Sequence, residues 1–115
     1  MNAQPPIPFP QGPRIAEQVS FDRRELALIL SVYGRMVAAG EWRDYAIAAL
    51  RDVAVFSIFR RTAETPLYRI EKRPRLRSRQ GMYAVLGGDG QVLRRGHELG
   101  AALRFFETRQ FHVVE

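Results

Sequence analysis

The residues best suited to binding another molecule lie in one short segment, EKRPRLRSRQG, which covers residues 71–81. Five of the eight residues from Lys72 to Arg79 are cationic, and arginine occupies every second position from Arg73 to Arg79. In an extended segment these four arginines point to one side, because strand side chains alternate with a period of two. A row of guanidinium groups can follow the phosphates of a nucleic acid. The same composition is also typical of a solvated loop between two strands.

The location of the charge is more informative than its amount. The chain has a net charge of +6, and residues 51–79 supply all of the excess, with nine positive and three negative charges. Of the 18 cationic residues in the chain, 17 are arginine. Codon bias in a GC-rich genome is the favoured explanation of the preference for arginine over lysine, because acids neutralise the arginines outside residues 51–79, so the residue type alone carries little weight.

We therefore predict a cationic patch built on this segment, with Arg60 beside it on the neighbouring strand. Its members are Arg61, Arg69, Lys72, Arg73, Arg75, Arg77, Arg79 and Arg94. The predicted ligand is single-stranded nucleic acid or another polyanion, and Phe59 is placed to stack on an unpaired base. Two nearby acids, Glu64 and Glu71, are the alternative partners of these arginines. The sequence contains no RNP signature, helix-turn-helix or zinc-finger spacing that would support the prediction.

Residues suited to catalysis are few. The absence of cysteine excludes disulfides, thiolate catalysis and cysteine-based zinc sites. The two histidines, His97 and His112, do not form a HExxH pair. Arg95 and His97 at the start of the last predicted helix are a candidate anion site, with a surface cap residue as the alternative. We expect a protein that is not an enzyme and uses no metal or cofactor.

The elements that position these residues follow from the hydrophobic pattern. Asp22 and Glu25 form a capping-box pattern, and apolar residues at helical spacing then continue to a stop at Gly40. From Trp42 the period changes to two through five short runs, which are separated by turn-like segments such as GGDG at 87–90. Gly96, His97 and Glu98 then open a final helix. The fold predicted is α+β: an N-terminal helix, a five-stranded antiparallel meander and a C-terminal helix, with both helices on one face.

The boundaries follow from composition. Residues 1–20 contain five of the seven prolines and are predicted to be a disordered leader. Residues 21–107 are the single α+β domain, and residues 108–115 are a C-terminal tail or a short extra strand. The start of the chain has no signal-peptide pattern, and the longest apolar run, residues 26–33, is far too short to span a membrane. We therefore expect a cytoplasmic protein.

The predicted alternation also divides the sheet into two faces. The face under the helices carries Tyr45, Ile47, Phe56, Ile58, Tyr68, Ile70, Tyr83, Val85 and Leu93. The open face carries Val55, Ser57, Phe59, Arg69, Glu71, Ala84 and Arg94. An open face of this mixed kind is solvated, pairs with a second copy, or receives a ligand. Val55 and Phe59 favour a partner, so the alternative function is a protein-interaction adaptor or homodimer that uses this face, with an acidic protein as the other possible partner.

Several strings resemble, in combination, a family of short alphaproteobacterial proteins that is catalogued only as a domain of unknown function. They are YGRMVAAGEWRDYAI, AVFSIFRR, PLYRIEKRP, RQGMY and RRGHEL. The resemblance covers about residues 21–107. It implies a small bacterial cytoplasmic protein with no assigned activity, substrate or cofactor, and it assigns a role to no residue.

Overall fold

The computed structural model describes residues 18–61 and 65–114, with side chains through residue 107. Its elements are α1 (Arg23–Ala38), β1 (Asp44–Ala49), β2 (Ala54–Phe59), β3 (Tyr68–Lys72), β4 (Tyr83–Gly87), β5 (Val92–Gly96) and α2 (Leu99–Val114). The predicted order of helix, five strands and helix is confirmed. The predicted leader falls outside the described residues except for residues 18–20.

The five strands form one antiparallel meander in the order β1-β2-β3-β4-β5. Both helices pack on the face that carries Phe56, Ile70 and Val85, each of which is at most 1% exposed. The period-two pattern therefore placed the core correctly along the central strands, and the predicted α+β class is confirmed.

Helix α1 begins where the sequence predicts. The Asp22 carboxylate accepts a hydrogen bond from the Glu25 backbone N–H at 2.8 Å, and Glu25 Oε1 accepts one from the Asp22 N–H at 2.8 Å. This reciprocal pair satisfies two of the backbone donors that a helix start leaves open. Gly40 follows the helix with φ of 80°, a left-handed conformation that glycine adopts without strain.

Glu25 also ties the start of α1 to the sheet. The residue is 8% exposed, and its carboxylate accepts a hydrogen bond from Lys72 Nζ at 2.8 Å and another from the Tyr83 hydroxyl. Lys72 Nζ additionally donates to the Ser20 carbonyl at 2.9 Å. Because a buried carboxylate is costly unless it is paired and hydrogen-bonded, these contacts lock α1 in one position above β3 and β4. We call Glu25, Lys72 and Tyr83 the Glu25 cluster.

A bulge between β4 and β5 reverses the predicted side of Arg94. Val85 lies opposite Arg94, but the next residue, Leu86, lies opposite Val92, so Leu93 has no partner in the ladder. Arg94 consequently lies on the face under the helices and donates from its NH1 atom to the Ala101 carbonyl at 3.4 Å. The prediction that Arg94 lies on the open face was wrong, because one extra residue shifts the alternation.

The predicted C-terminal tail also needs correction. Helix α2 continues through residues 108–114 instead of ending near residue 107. No glycine or proline interrupts residues 101–114, so nothing in the local sequence stops the helix.

Neither helix in the described part of the chain has the length and apolar character needed to cross a membrane.

One close backbone contact fixes the segment between β3 and β4 against β5. Gly81 has φ of 114°, and a Cβ atom at this position would lie 2.7 Å from the carbonyl carbon of Gly96. Only glycine permits this approach, because a methyl group would meet rigid backbone rather than a movable side chain.

We expect Gly81→Ala to reduce the free energy of unfolding by at least about 2 kcal/mol, because the change adds both strain and a clash. Gly34→Ala is the matched control, since no atom lies within 4 Å of a Cβ atom there. That change within α1 should instead add about 0.5–1 kcal/mol. Urea unfolding of both variants checks the prediction, and a Gly81→Ala variant as stable as the wild type would contradict it.

The Glu25 cluster makes stability depend on alkaline pH. Burial, followed by the hydrogen bond to Glu25, raises the pKa of Tyr83 above its ordinary value. The folded state therefore favours the neutral hydroxyl, and this contribution is complete below the ordinary tyrosine pKa of about 10 and declines as the pH rises above it.

We expect Tyr83→Phe to cost about 1.5–3 kcal/mol at neutral pH, because the variant loses a hydrogen bond to a buried carboxylate. The difference from the wild type should shrink above pH ~10, where the wild type loses the same contribution. Tyr45→Phe is the control, because Tyr45 is exposed. Urea unfolding at neutral and alkaline pH measures both effects. Equal costs for the two variants at neutral pH would show that the Tyr83 contact does not stabilise the fold.

Candidate functional site

The arginine loop, residues 73–81, joins β3 to β4 and contains the basic segment singled out by sequence. Arg73 is in an extended conformation, and Pro74–Leu76 then form a 3-10 turn. The Arg79 and Gly81 N–H groups then both donate to the Leu76 carbonyl, at 3.2 and 2.9 Å. The loop is therefore a compact coil. The prediction of an extended arm with four arginines on one side was wrong, because proline is favoured in the first turn of a helix and starts the coil here.

The coil is attached to the sheet by several contacts. Its base closes through the Arg73 N–H, which donates to the Met82 carbonyl at 2.7 Å. From β5, Arg95 NH1 donates to the Gly81 carbonyl at 3.2 Å, and His97 Nδ1 lies 3.2 Å from the Arg77 carbonyl. The structure thus places Arg95 and His97, predicted as an anion site, against carbonyl groups of the loop, which they position.

The arginines of the loop differ in how far they are already neutralised. Arg73 Nε donates to Glu71 Oε1 at 3.0 Å, and Glu71 is buried. Arg75 lies 3.6 Å from Asp52 Oδ1, but its side chain remains 82% exposed. Arg77 and Arg79 are exposed, and neither forms an ion pair with a described residue. The cationic groups that remain available to a ligand are therefore Arg77 and Arg79, with Arg75 weakly held.

Three other members of the predicted patch are directed elsewhere. Lys72 points under the helices and belongs to the Glu25 cluster. Arg94 lies on the helix side of the sheet beyond the bulge, where it remains exposed. Arg69 lies on the open face with its Nε buried and without a described hydrogen-bond partner, and its NH2 atom is 3.3 Å from the position of a Cβ on Gly90. Arg69 is thus directed along the face towards the β4–β5 turn.

Arg61 lies at the opposite end of the sheet from the arginine loop. Ala54 at the start of β2 is opposite Lys72, whereas Arg61 follows the far end of the same strand. The separation is roughly 20 Å along the strand. The prediction of one connected patch that includes Arg60 and Arg61 was therefore wrong.

A second basic site surrounds Arg60 and Arg61. A cavity of about 470 Å³ is lined by Val37, Gly40, Glu41, Trp42, Arg43, Arg60 and Arg61. Arg60 NH2 lies 3.8 Å from Glu41 Oε1, and Arg43 is brought to the same site by its backbone bond to the Phe59 carbonyl at 2.9 Å. Sequence reasoning missed Arg43, because only the pairing of β1 with β2 brings it beside Arg60.

The open face offers little apolar surface. Val55 and Phe59, the predicted stacking or dimer residues, are both half-buried. Two other apolar residues of this face, Ala84 and Leu86, are buried, with Arg95 and Arg69 directly opposite them on the neighbouring strands. Arginine stems commonly cover apolar surface in this way while the charged group stays in water. Phe59 lies at the Arg61 end of β2, so it does not stand beside the arginine loop.

The remaining cavity of interest, about 380 Å³, lies between the starts of the two helices. Glu25, Tyr83, His97 and Glu98 are among its lining residues. Two of these groups, Glu25 and Tyr83, are hydrogen-bonded to each other within the Glu25 cluster. Among the residues that the structure describes, no group of three His, Asp or Glu side chains is placed to hold a metal ion.

Comparison with known proteins identifies the chain at the level of a family. No curated protein and no solved structure matches it. A family model described as "Protein of unknown function (DUF2794)" matches residues 19–103, which includes all five strands and α1. This match confirms the resemblance inferred from the sequence strings. The chain belongs to the DUF2794 family of proteins of unknown function.

Proposed function

We propose that the protein is a non-catalytic module that binds the phosphate backbone of single-stranded nucleic acid through the arginine loop. The observation that carries the proposal is the pair Arg77 and Arg79, two exposed guanidinium groups without an acidic partner among the described residues. No Asp or Glu occurs between Glu71 and Asp89, so the loop has no acid of its own to neutralise them. Phosphate contacts of this kind supply sequence-independent affinity.

The attachment of the loop supports the same function. The loop backbone is held by Arg95, His97 and the close approach of Gly81 to Gly96. A cationic group on a fixed backbone loses less conformational entropy on binding than one on a mobile arm. The side chains of Arg77 and Arg79 remain free to adapt to the spacing of phosphates. Base stacking has no part in this proposal, because Phe59 lies near the other end of β2.

A second candidate function, a protein-interaction module, is favoured by a different observation. The large apolar side chains that remain exposed in the described part of the chain include Tyr45 and Ile47 on β1 and Val37 on the adjacent α1. The open face, with Val55 and Phe59 half-buried, is less suitable for such contacts. An interaction beside β1 involves no arginine of the loop, so the two functions are compatible.

The first test is fluorescence anisotropy with a labelled single-stranded oligonucleotide, and a duplex of the same sequence, across a salt series. Two or three phosphate contacts predict a log–log salt slope of about −1.4 to −2.1 for single strands. The double variant Arg77→Ala/Arg79→Ala should lose about ten- to a hundredfold in affinity, because it removes two charged contacts.

The matched control is Arg43→Ala/Arg61→Ala, which removes the same charge at the opposite end of the sheet. Because that end lies farther from the loop than the Debye length of about 8 Å at physiological salt, the control should lose no more than about threefold. Equal losses in both variants would indicate attraction to overall charge, and would refute a site at the loop. No binding at low salt would refute nucleic-acid binding altogether.

A further inference from the structure

Four of the eight large apolar side chains that are exposed in the described residues lie on adjoining parts of α1 and β1. Leu30 and Val37 on α1 are 39% and 41% exposed, and Tyr45 and Ile47 on β1 are 41% and 48% exposed. Tyr33 connects the two elements, since its ring centroid lies 5.0 Å from that of Tyr45. We call these five residues the β1 flank. None of them is charged, although the chain as a whole carries +6.

The backbone of β1 offers hydrogen bonds at the same place. The Leu50 N–H donates to the Val53 carbonyl at the turn between β1 and β2. Because hydrogen-bonded pairs recur at every second residue of an antiparallel ladder, the N–H and C=O groups of Ala48 and Ala46 also point towards β2. Tyr45, Ile47 and Ala49 therefore direct their N–H and C=O groups away from the sheet. The Tyr45 N–H is bonded to the neighbouring Asp44 carboxylate at 2.8 Å, as expected for a group that β2 does not reach.

The two edges of the sheet are built differently. The β5 edge contains a bulge at Leu93 and two arginines, Arg94 and Arg95, features that discourage pairing with another strand. Strand β1, DYAIAA, has no proline, no bulge and no cationic residue. An unprotected edge strand with exposed apolar side chains is a template for an additional strand.

We propose that a second copy of this chain supplies that strand. Two β1 strands pair antiparallel about a two-fold axis at Ala46, which joins two five-stranded sheets into one and brings the two β1 flanks together. In this register Tyr45 of each copy lies opposite Ile47 of the other copy, which gives two pairs of an aromatic and a β-branched side chain. Arg43 lies opposite the partner's Ala49. A shift of the axis to Ile47 would instead place Arg43 opposite the partner's Arg51, so charge favours the first register.

The composition of the flank supports a second copy over an unrelated partner. A like-charged copy can approach this surface without placing arginines opposite each other, because the flank is uncharged. On the other side of the sheet, Ala46 and Ala48 are small and leave room for the same residues of the partner. The strand edge and the flank together bury roughly 1,000 Å² over the two copies, which is the lower end for a stable interface, so we expect a weak dimer.

Sedimentation velocity of the full chain across the micromolar range tests the proposal. The wild type should pass from a species of 13.2 kDa to one of twice that mass as its concentration rises. Ile47→Lys should remain monomeric at every concentration, because it places a charge at the centre of the edge. Val92→Lys is the matched control, since Val92 is 45% exposed on the other edge, and it should dimerise like the wild type.

Ala46→Cys tests the register independently of affinity. The chain has no other cysteine, and Ala46 is exposed, so an introduced thiol leaves the fold unchanged. Facing Cα atoms at a non-hydrogen-bonded pair are about 4.5 Å apart, within the range of a disulfide. Mild oxidation should therefore give a covalent dimer, whereas Val92→Cys should give none. A wild type that stays monomeric, an Ile47→Lys variant that dimerises, or an Ala46→Cys variant that does not cross-link would each overturn the proposal.

Discussion

The buried carboxylate of Glu25 is the constraint on which the arrangement of the rest depends. It caps α1, pairs with Lys72 of β3 and accepts a hydrogen bond from Tyr83 of β4, so one group fixes a helix and two strands relative to each other. A buried charge tolerates little displacement of its partners, because each lost contact leaves it unsatisfied in a medium of low dielectric constant. The start of α1 and the adjoining ends of β3 and β4 therefore form one rigid unit, and the arginine loop is attached to it.

This cluster also divides the basic segment. Successive residues of β3 point to opposite faces of the sheet, so Lys72 turns under the helices while Glu71 and Arg73 turn to the open face, where they pair with each other. Two of the cationic residues in the segment are thereby neutralised inside the fold. The charge left for a ligand is the portion beyond Pro74, where the chain leaves the strand. A run of cationic residues thus overstates the binding capacity of a segment when part of the run continues a strand.

The sequence was informative where local rules decide the structure. The capping box at Asp22 and the period-two runs from Trp42 predicted the start of α1 and the succession of five strands along the chain, because hydrogen bonding and burial act there through near neighbours. The bulge at Leu93 was not predictable, since it depends on how two strands meet. The coil of the arginine loop was missed for a related reason: alternating arginines suggested a strand, while Pro74 and the Gly81–Gly96 contact determine the actual path.

The same distinction applies to the surfaces. Sequence alternation identified Val55 and Phe59 as outward-facing, but it could not show that arginine stems cover the centre of that face or that α1 leaves Tyr45 and Ile47 partly exposed. In the proposed dimer, antiparallel pairing of β1 places the two arginine loops at opposite ends of the joined sheet. Five strand spacings separate the two β3 strands, and with the offset along the strands the loops lie roughly 30 Å apart. Under the proposed function, a short oligonucleotide would reach one loop only, whereas a longer strand would engage both, and the second contact would benefit from a raised effective concentration. The proposed dimer and the proposed function together therefore predict an affinity that depends on the length of the nucleic acid, a dependence that a monomer with one loop lacks.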